Sequence, residues 1–109
     1  MTDIAAVEFC SRYRGPVMEV LTGAVGAQGA DGFRPVSAAV ERLRAITEDA
    51  RALALDEGLA RWVAAAPVFF AEVDRALDAQ DARALWAAVT HPEHGVDLLG
   101  RACAGQPGW

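Results

Sequence analysis

The chain contains no lysine, and all ten of its basic residues are arginines. Schiff-base catalysis is therefore excluded, as is any anion clamp that needs an ammonium group. Arginine clamps like those of the all-α chorismate mutases also use a lysine, so that family is not implied. Serine is nearly as scarce, with only Ser11 and Ser37, and neither lies in a nucleophile-elbow context. No phosphate-binding loop, dinucleotide fingerprint or C-x-x-C motif occurs. Long apolar runs are missing: the longest stretch without a charge or strong polar group, WVAAAPVFFA at 62–71, is far short of a membrane span. Period-2 alternation, the mark of a half-buried strand, is essentially absent. Basic blocks are absent too, and the net charge of −5 is spread along the chain, which repels phosphate backbones and excludes generic nucleic-acid binding.

At 109 residues, 53% of them hydrophobic and 23% charged, the chain is expected to form one globular domain that needs no metal or disulfide to fold. The opening MTDIAAVEFC has an early acid and no basic region, so no secretory signal is read there, and a cytoplasmic location is expected. In that setting Cys10 and Cys103 are expected to be reduced, small buried residues. A disulfide joining the first and last helices is the alternative.

Helical spacing recurs throughout and predicts an all-α, compact, up-and-down four-helix bundle-like array. The first helix is expected from Thr2, as N-cap, to about Val25, with Ile4, Val7, Cys10, Val17, Leu21 and Val25 inward. Pro16 is expected to kink or break it. Glycines at 23, 26, 29 and 32 predict a loop over about 23–34, either a plain connector or a lid. The second helix is expected from Pro35 to a stop at Gly58, with Val36, Val40, Leu43, Ile46, Ala50, Leu53 and Ala54 on or beside its inner face. Glu41, Arg44, Glu48 and Arg51 form its solvated side. The third segment, 58–79, keeps Leu59, Trp62, Val63, Ala66, Phe69, Phe70, Val73 and Leu77 in register across Pro67, where a kink or break is expected. The last starts at Asp81 as N-cap, with Leu85, Trp86 and Val89 inward. It breaks near Pro92, resumes through Val96, Leu99 and Cys103, and ends in a non-helical tail, 104–109.

Both histidines lie in THPEHG, 90–95. His91 and His94, with Glu93 between, are weak metal-ligand candidates, but no second H-x-x-H or E-x-x-H completes a bundle-core site. Thr90-His91-Pro92-Glu93 reads more directly as a capping box. Arg12, Arg14 and Arg34 flank the glycine-rich stretch, where they are candidates, with His91 and His94, to contact a small ligand between helices. Trp109 follows Gln-Pro-Gly outside any helix, so it either folds back onto the bundle or anchors a partner chain. No catalytic constellation is complete. The expectation is an interaction, regulatory or accessory module that binds a protein partner or self-associates, without cofactor, nucleic acid or membrane. A small-molecule-binding protein or small enzyme with an interhelical pocket is the alternative.

Overall fold

The computed structural model describes residues 4–27, 29–53 and 56–109, with the side chains of 4, 5 and 30 left aside. Thr2 and Ala54 lie outside the described residues, and so does the side chain of Ile4. The fold is all-α. Five helices follow in order: α1 (Ile4–Val25), α2 (Gly29–Arg51), α3 (Glu57–Asp78), α4 (Ala82–Val89) and α5 (Asp97–Ala102). α1 packs on α2, α2 on α3, α3 on α4, and α4 back on α1, with α5 laid against α3. This closed circuit of sequential neighbours is the up-and-down arrangement.

Two of the three prolines expected to disturb helices leave them unbroken. α1 runs through Pro16 and α3 through Pro67, and the chain breaks only at Pro92, between α4 and α5. Each internal proline removes one backbone hydrogen bond, but the buried face continues on both sides and offsets that cost. On α1 this face is Ala6, Phe9, Cys10, Tyr13, Val17, Val20 and Ala24. It is rotated from the expected stripe, and Val7 and Val25 are exposed. The larger Phe9 and Tyr13 set the orientation, because they bury more apolar surface than two valines.

The glycine-rich stretch is mostly helix, not a 23–34 loop. α1 extends to Val25 and α2 begins at Gly29, well before Pro35. Gly23 permits this, since a Cβ there would lie 2.6 Å from the Cγ2 of Val36. Close approach lets the added first turns of α2 bury Phe33, a gain of roughly 2 kcal/mol that outweighs the modest helix cost of glycine. α2 then ends at Arg51, and Gly58 falls in the first turn of α3 instead of stopping α2. The Asp56 carboxylate takes the Leu59 N–H at 2.9 Å and starts α3 there. Leu53 is consequently exposed. Asp81 caps α4 as expected, accepting from the Ala84 N–H at 3.0 Å.

The core centres on Trp62, which is fully buried, with ring centroids of Phe69 at 5.2 Å and Phe70 at 6.2 Å. One polar cluster lies inside it. The Thr47 hydroxyl donates to the Leu43 carbonyl at 2.8 Å. That leaves the Tyr13 hydroxyl to donate to Thr47 Oγ1 at 2.9 Å, and the Trp62 indole N–H is shared between both oxygens at 3.3 Å. Every donor is used, so burial of the cluster carries no orphan. Outside the core, Arg44 bridges α2 to α3 through both oxygens of Asp74, at 2.8 and 3.0 Å, while stacking over Phe70.

The cysteines are bridged, not free. Cys10 and Cys103 form a fully buried disulfide with Cα atoms 5.6 Å apart, tying α1 to the residue after α5. α5 lies directly against the core through Leu98 and Leu99, so Cys103 is delivered to the buried face of α1. The 104–109 tail turns back over this link. Trp109 packs against the core, and its indole N–H donates to the Cys10 carbonyl at 2.8 Å. Trp109 thus folds back onto its own bundle. The residue exposed in its place is Trp86, expected inward but 43% accessible beside Val25.

Candidate functional site

The capping box is not formed. Thr90 is the C-cap of α4, and its hydroxyl donates back to the Trp86 carbonyl at 2.7 Å. With Thr90 so engaged, the Glu93 N–H donates to His91 Nδ1 at 3.1 Å. The chain then turns tightly: the Gly95 N–H bonds the His91 carbonyl at 2.8 Å and the Val96 N–H bonds the Val89 carbonyl at 3.0 Å. A Cβ on Gly95 would lie 2.5 Å from each of those two carbonyl oxygens. Because backbone atoms, not flexible side chains, occupy that space, only glycine fits. Gly95→Ala is expected to destabilise the protein by about 1–3 kcal/mol, the range for overpacking, and to disperse the histidine-ring NMR signals from their native positions. A thermal melt and a one-dimensional proton spectrum check both.

This turn folds the two imidazoles over each other, with centroids 3.6 Å apart and planes 15° from parallel. His94, largely buried, places Nε2 2.8 Å from Glu72 Oε2 on α3. An ionised carboxylate only accepts, so His94 Nε2 carries the proton. His91 Nδ1 accepts from the Glu93 amide, so the proton of neutral His91 is also on Nε2. The hydrogen bond from His94 holds the Glu72 carboxyl below the usual carboxylate range, with its slight desolvation opposing and the nearby His94 charge adding to the effect.

The folded value is depressed, so this pairing stabilises fully above the unfolded glutamate value near 4.5 and is lost as pH falls through the folded one. Glu72→Gln is expected to flatten the acid limb of the stability curve. Urea midpoints, measured from neutral pH down through the carboxylate range, test this.

Beside the cluster, α3 and α4 leave a groove of about 380 Å³. Its polar lining is Glu72, Arg75, Asp81 and His91, and the rest is alanine, with Ala76 and Ala88 buried and Ala79, Ala84 and Ala87 exposed. Small side chains at 76, 79, 84, 87 and 88 keep the groove open where the two helices face each other.

Of the residues expected at a site, the structure brings together His91 and His94 only. Arg12 pairs with Asp49 at 2.7 Å, Arg34 with Asp31 at 3.2 Å, and Arg14 lies across Gly108. The three arginines therefore do not converge. The weak metal cluster of His91, Glu93 and His94 is not assembled either: Glu93 contributes its amide, and His94 Nε2 is engaged by Glu72. Among the described residues no three His, Cys, Asp or Glu side chains are grouped to hold a metal ion.

Glu72 and Arg75 were not anticipated. Their i,i+3 spacing, continued by Ala79, marks a stripe on the flank of α3. Nothing local in sequence ties that stripe to the 90–96 turn.

Comparison of the chain with protein-family models, with curated proteins and with solved structures gives no match. Fold and site together define the class: an all-α four-helix array carrying a histidine–carboxylate pair beside an interhelical groove.

Proposed function

We propose that the chain is a non-enzymatic binding module that holds a small molecule in the α3/α4 groove. The observation that carries this reading is the Glu72–His94–His91 cluster, where side chains from two separate segments meet at the rim of a groove. Binding is favoured over covalent catalysis by where the nucleophiles are. Both cysteines are consumed in the bridge, and the Thr90 hydroxyl is turned to the Trp86 carbonyl. The test is a small-molecule fragment screen read by protein NMR on the whole chain. Shifts gathered on Ala76, Ala84, Ala88 and His91 are expected. Shifts confined to other surfaces contradict the reading.

A protein-interaction role is the second reading, and the exposed pair Trp86 and Val25 supports it, at 43% and 74% accessible. Under it, a Trp86→Glu variant abolishes any self-association seen by light scattering across a dilution series.

Among the described residues no helix is long and apolar enough to cross a membrane. We further propose that the protein works in an oxidising compartment instead of the cytoplasm, because buried structural disulfides are rare where glutathione keeps thiols reduced. Alkylation before lysis, followed by intact-mass measurement, is expected to find Cys10 and Cys103 unmodified. Two alkylated cysteines contradict it.

A further inference from the structure

We infer that a second cavity, walled by Trp109 and separate from the α3/α4 groove, takes a small neutral aromatic molecule. Trp109 packs against the core while staying partly exposed, and it lines a cavity of about 470 Å³. Four segments close this space. α1 supplies Val17 and Leu21, the end of α4 Val89, the turn before α5 Val96, and the tail Trp109 itself. The three valines are buried and make an apolar floor, while Met18 stands exposed at the mouth. The volume lies within the range of small-molecule sites.

The polar groups of the lining select a neutral ligand. The Thr90 hydroxyl donates to the Trp86 carbonyl, and the Trp109 indole N–H donates to the Cys10 carbonyl. Asp97 is the one charged side chain among the described lining residues, and Arg101 holds it at 2.7 Å. Arg14 lies across Gly108 but is exposed and does not line the cavity. A cation would have to compete with Arg101 for Asp97, and an anion would meet that same carboxylate. Either would shed hydration without a free opposite charge to replace it. An uncharged ring has less to lose. Against it, the Trp109 indole and the Met18 thioether both gain more than they would against an aliphatic body.

The test uses the whole chain, methyl and indole NMR, and four probes of matched size: benzyl alcohol, benzylamine, benzoate and cyclohexylmethanol. Benzyl alcohol is expected to shift Val17, Leu21, Val89, Val96 and the Trp109 indole. It is expected to bind roughly fivefold more tightly than benzylamine or benzoate, and roughly threefold more tightly than cyclohexylmethanol. Trp109→Ala is expected to weaken it about tenfold, and Met18→Ser, at an exposed position where folding is not at stake, about threefold. Equal or tighter binding of benzylamine or benzoate overturns the neutral class, and equal binding of cyclohexylmethanol overturns the aromatic one. Wild-type affinity in both variants, or shifts confined to the alanines of the α3/α4 groove, overturns the site. So do shifts of the cavity methyls on dilution of the protein alone, because a second copy then fills the space.

Discussion

Replacing Cys10 and Cys103 together with alanine lowers the unfolding free energy by about 4 kcal/mol. The bridge spans 93 positions, so it closes nearly the whole chain into one loop. Loop-closure entropy for so long a loop amounts to roughly 4–5 kcal/mol, and native bridges in small domains typically contribute about 2–5 kcal/mol. For a domain of this size each kcal/mol moves the melting temperature by roughly 4–8 °C. The loss has a local side as well. Cys10 sits under Trp109, whose indole N–H bonds the Cys10 carbonyl, and α5 is drawn to α1 through Cys103. Loss of the bridge is therefore expected to loosen the tail and α5 before the rest. Denaturant melts of the double variant and of reduced wild type measure the first effect; amide exchange in 97–109 measures the second.

Trp62→Ala is the second large effect, at about 3–5 kcal/mol, the range for removing a fully buried large aromatic. The indole fills the space between Tyr13, Phe69 and Phe70, with its ring nearly perpendicular to Tyr13 at 81°. It also donates into the Tyr13–Thr47 pair. The proton arrangement of that cluster predicts an order among milder variants. Thr47→Val leaves the buried Tyr13 hydroxyl without its acceptor and costs about 1–3 kcal/mol. Tyr13→Phe costs less at the level of hydrogen bonding, because Thr47 still donates to Leu43 and still accepts from Trp62. Burial raises the Tyr13 phenol above its ordinary value of 10.0, against the opposing hydrogen bonds of Thr47 and Trp62. Its contribution is thus complete at neutral pH and declines only in the alkaline range, as the unfolded chain ionises first. Urea midpoints for the three variants decide the order. Equal costs for Thr47→Val and Tyr13→Phe would contradict the assigned donors.

Helical spacing made the architecture legible. The inner faces of α2 and α3, with Val36, Val40, Leu43, Trp62, Phe69 and Val73, are buried as the periodicity requires. The break at Pro92 also falls where the sequence places it. Legibility failed where two readings differ by less than a turn. On α1, small apolar residues on several faces satisfy the spacing, and only packing against α2 selects Phe9 and Tyr13 over Val7 and Val25. On 23–34, glycine reads as a loop, yet a glycine that admits Val36 is a helix-packing residue. The disulfide was open as an alternative, since 93 positions of separation carry no local signal.

The site divides in the same way. Thr-x-x-Glu at 90–93 matched a capping pattern, but Thr90 stayed with the helix behind it and His91 took the Glu93 amide. Glu72, the partner of His94, is 22 positions earlier, so only the tertiary fold brings that pair together.

Glu72 orients His94, and the turn that carries both histidines holds His91 against the groove. Long-range nitrogen–proton NMR of the imidazoles, recorded above the ordinary histidine range at about pH 8, reads the tautomers directly. Both His91 and His94 are predicted in the Nε2–H form, with the His94 signal moving on Glu72→Gln. An Nδ1–H form of His91, or a His94 signal indifferent to that substitution, would contradict it.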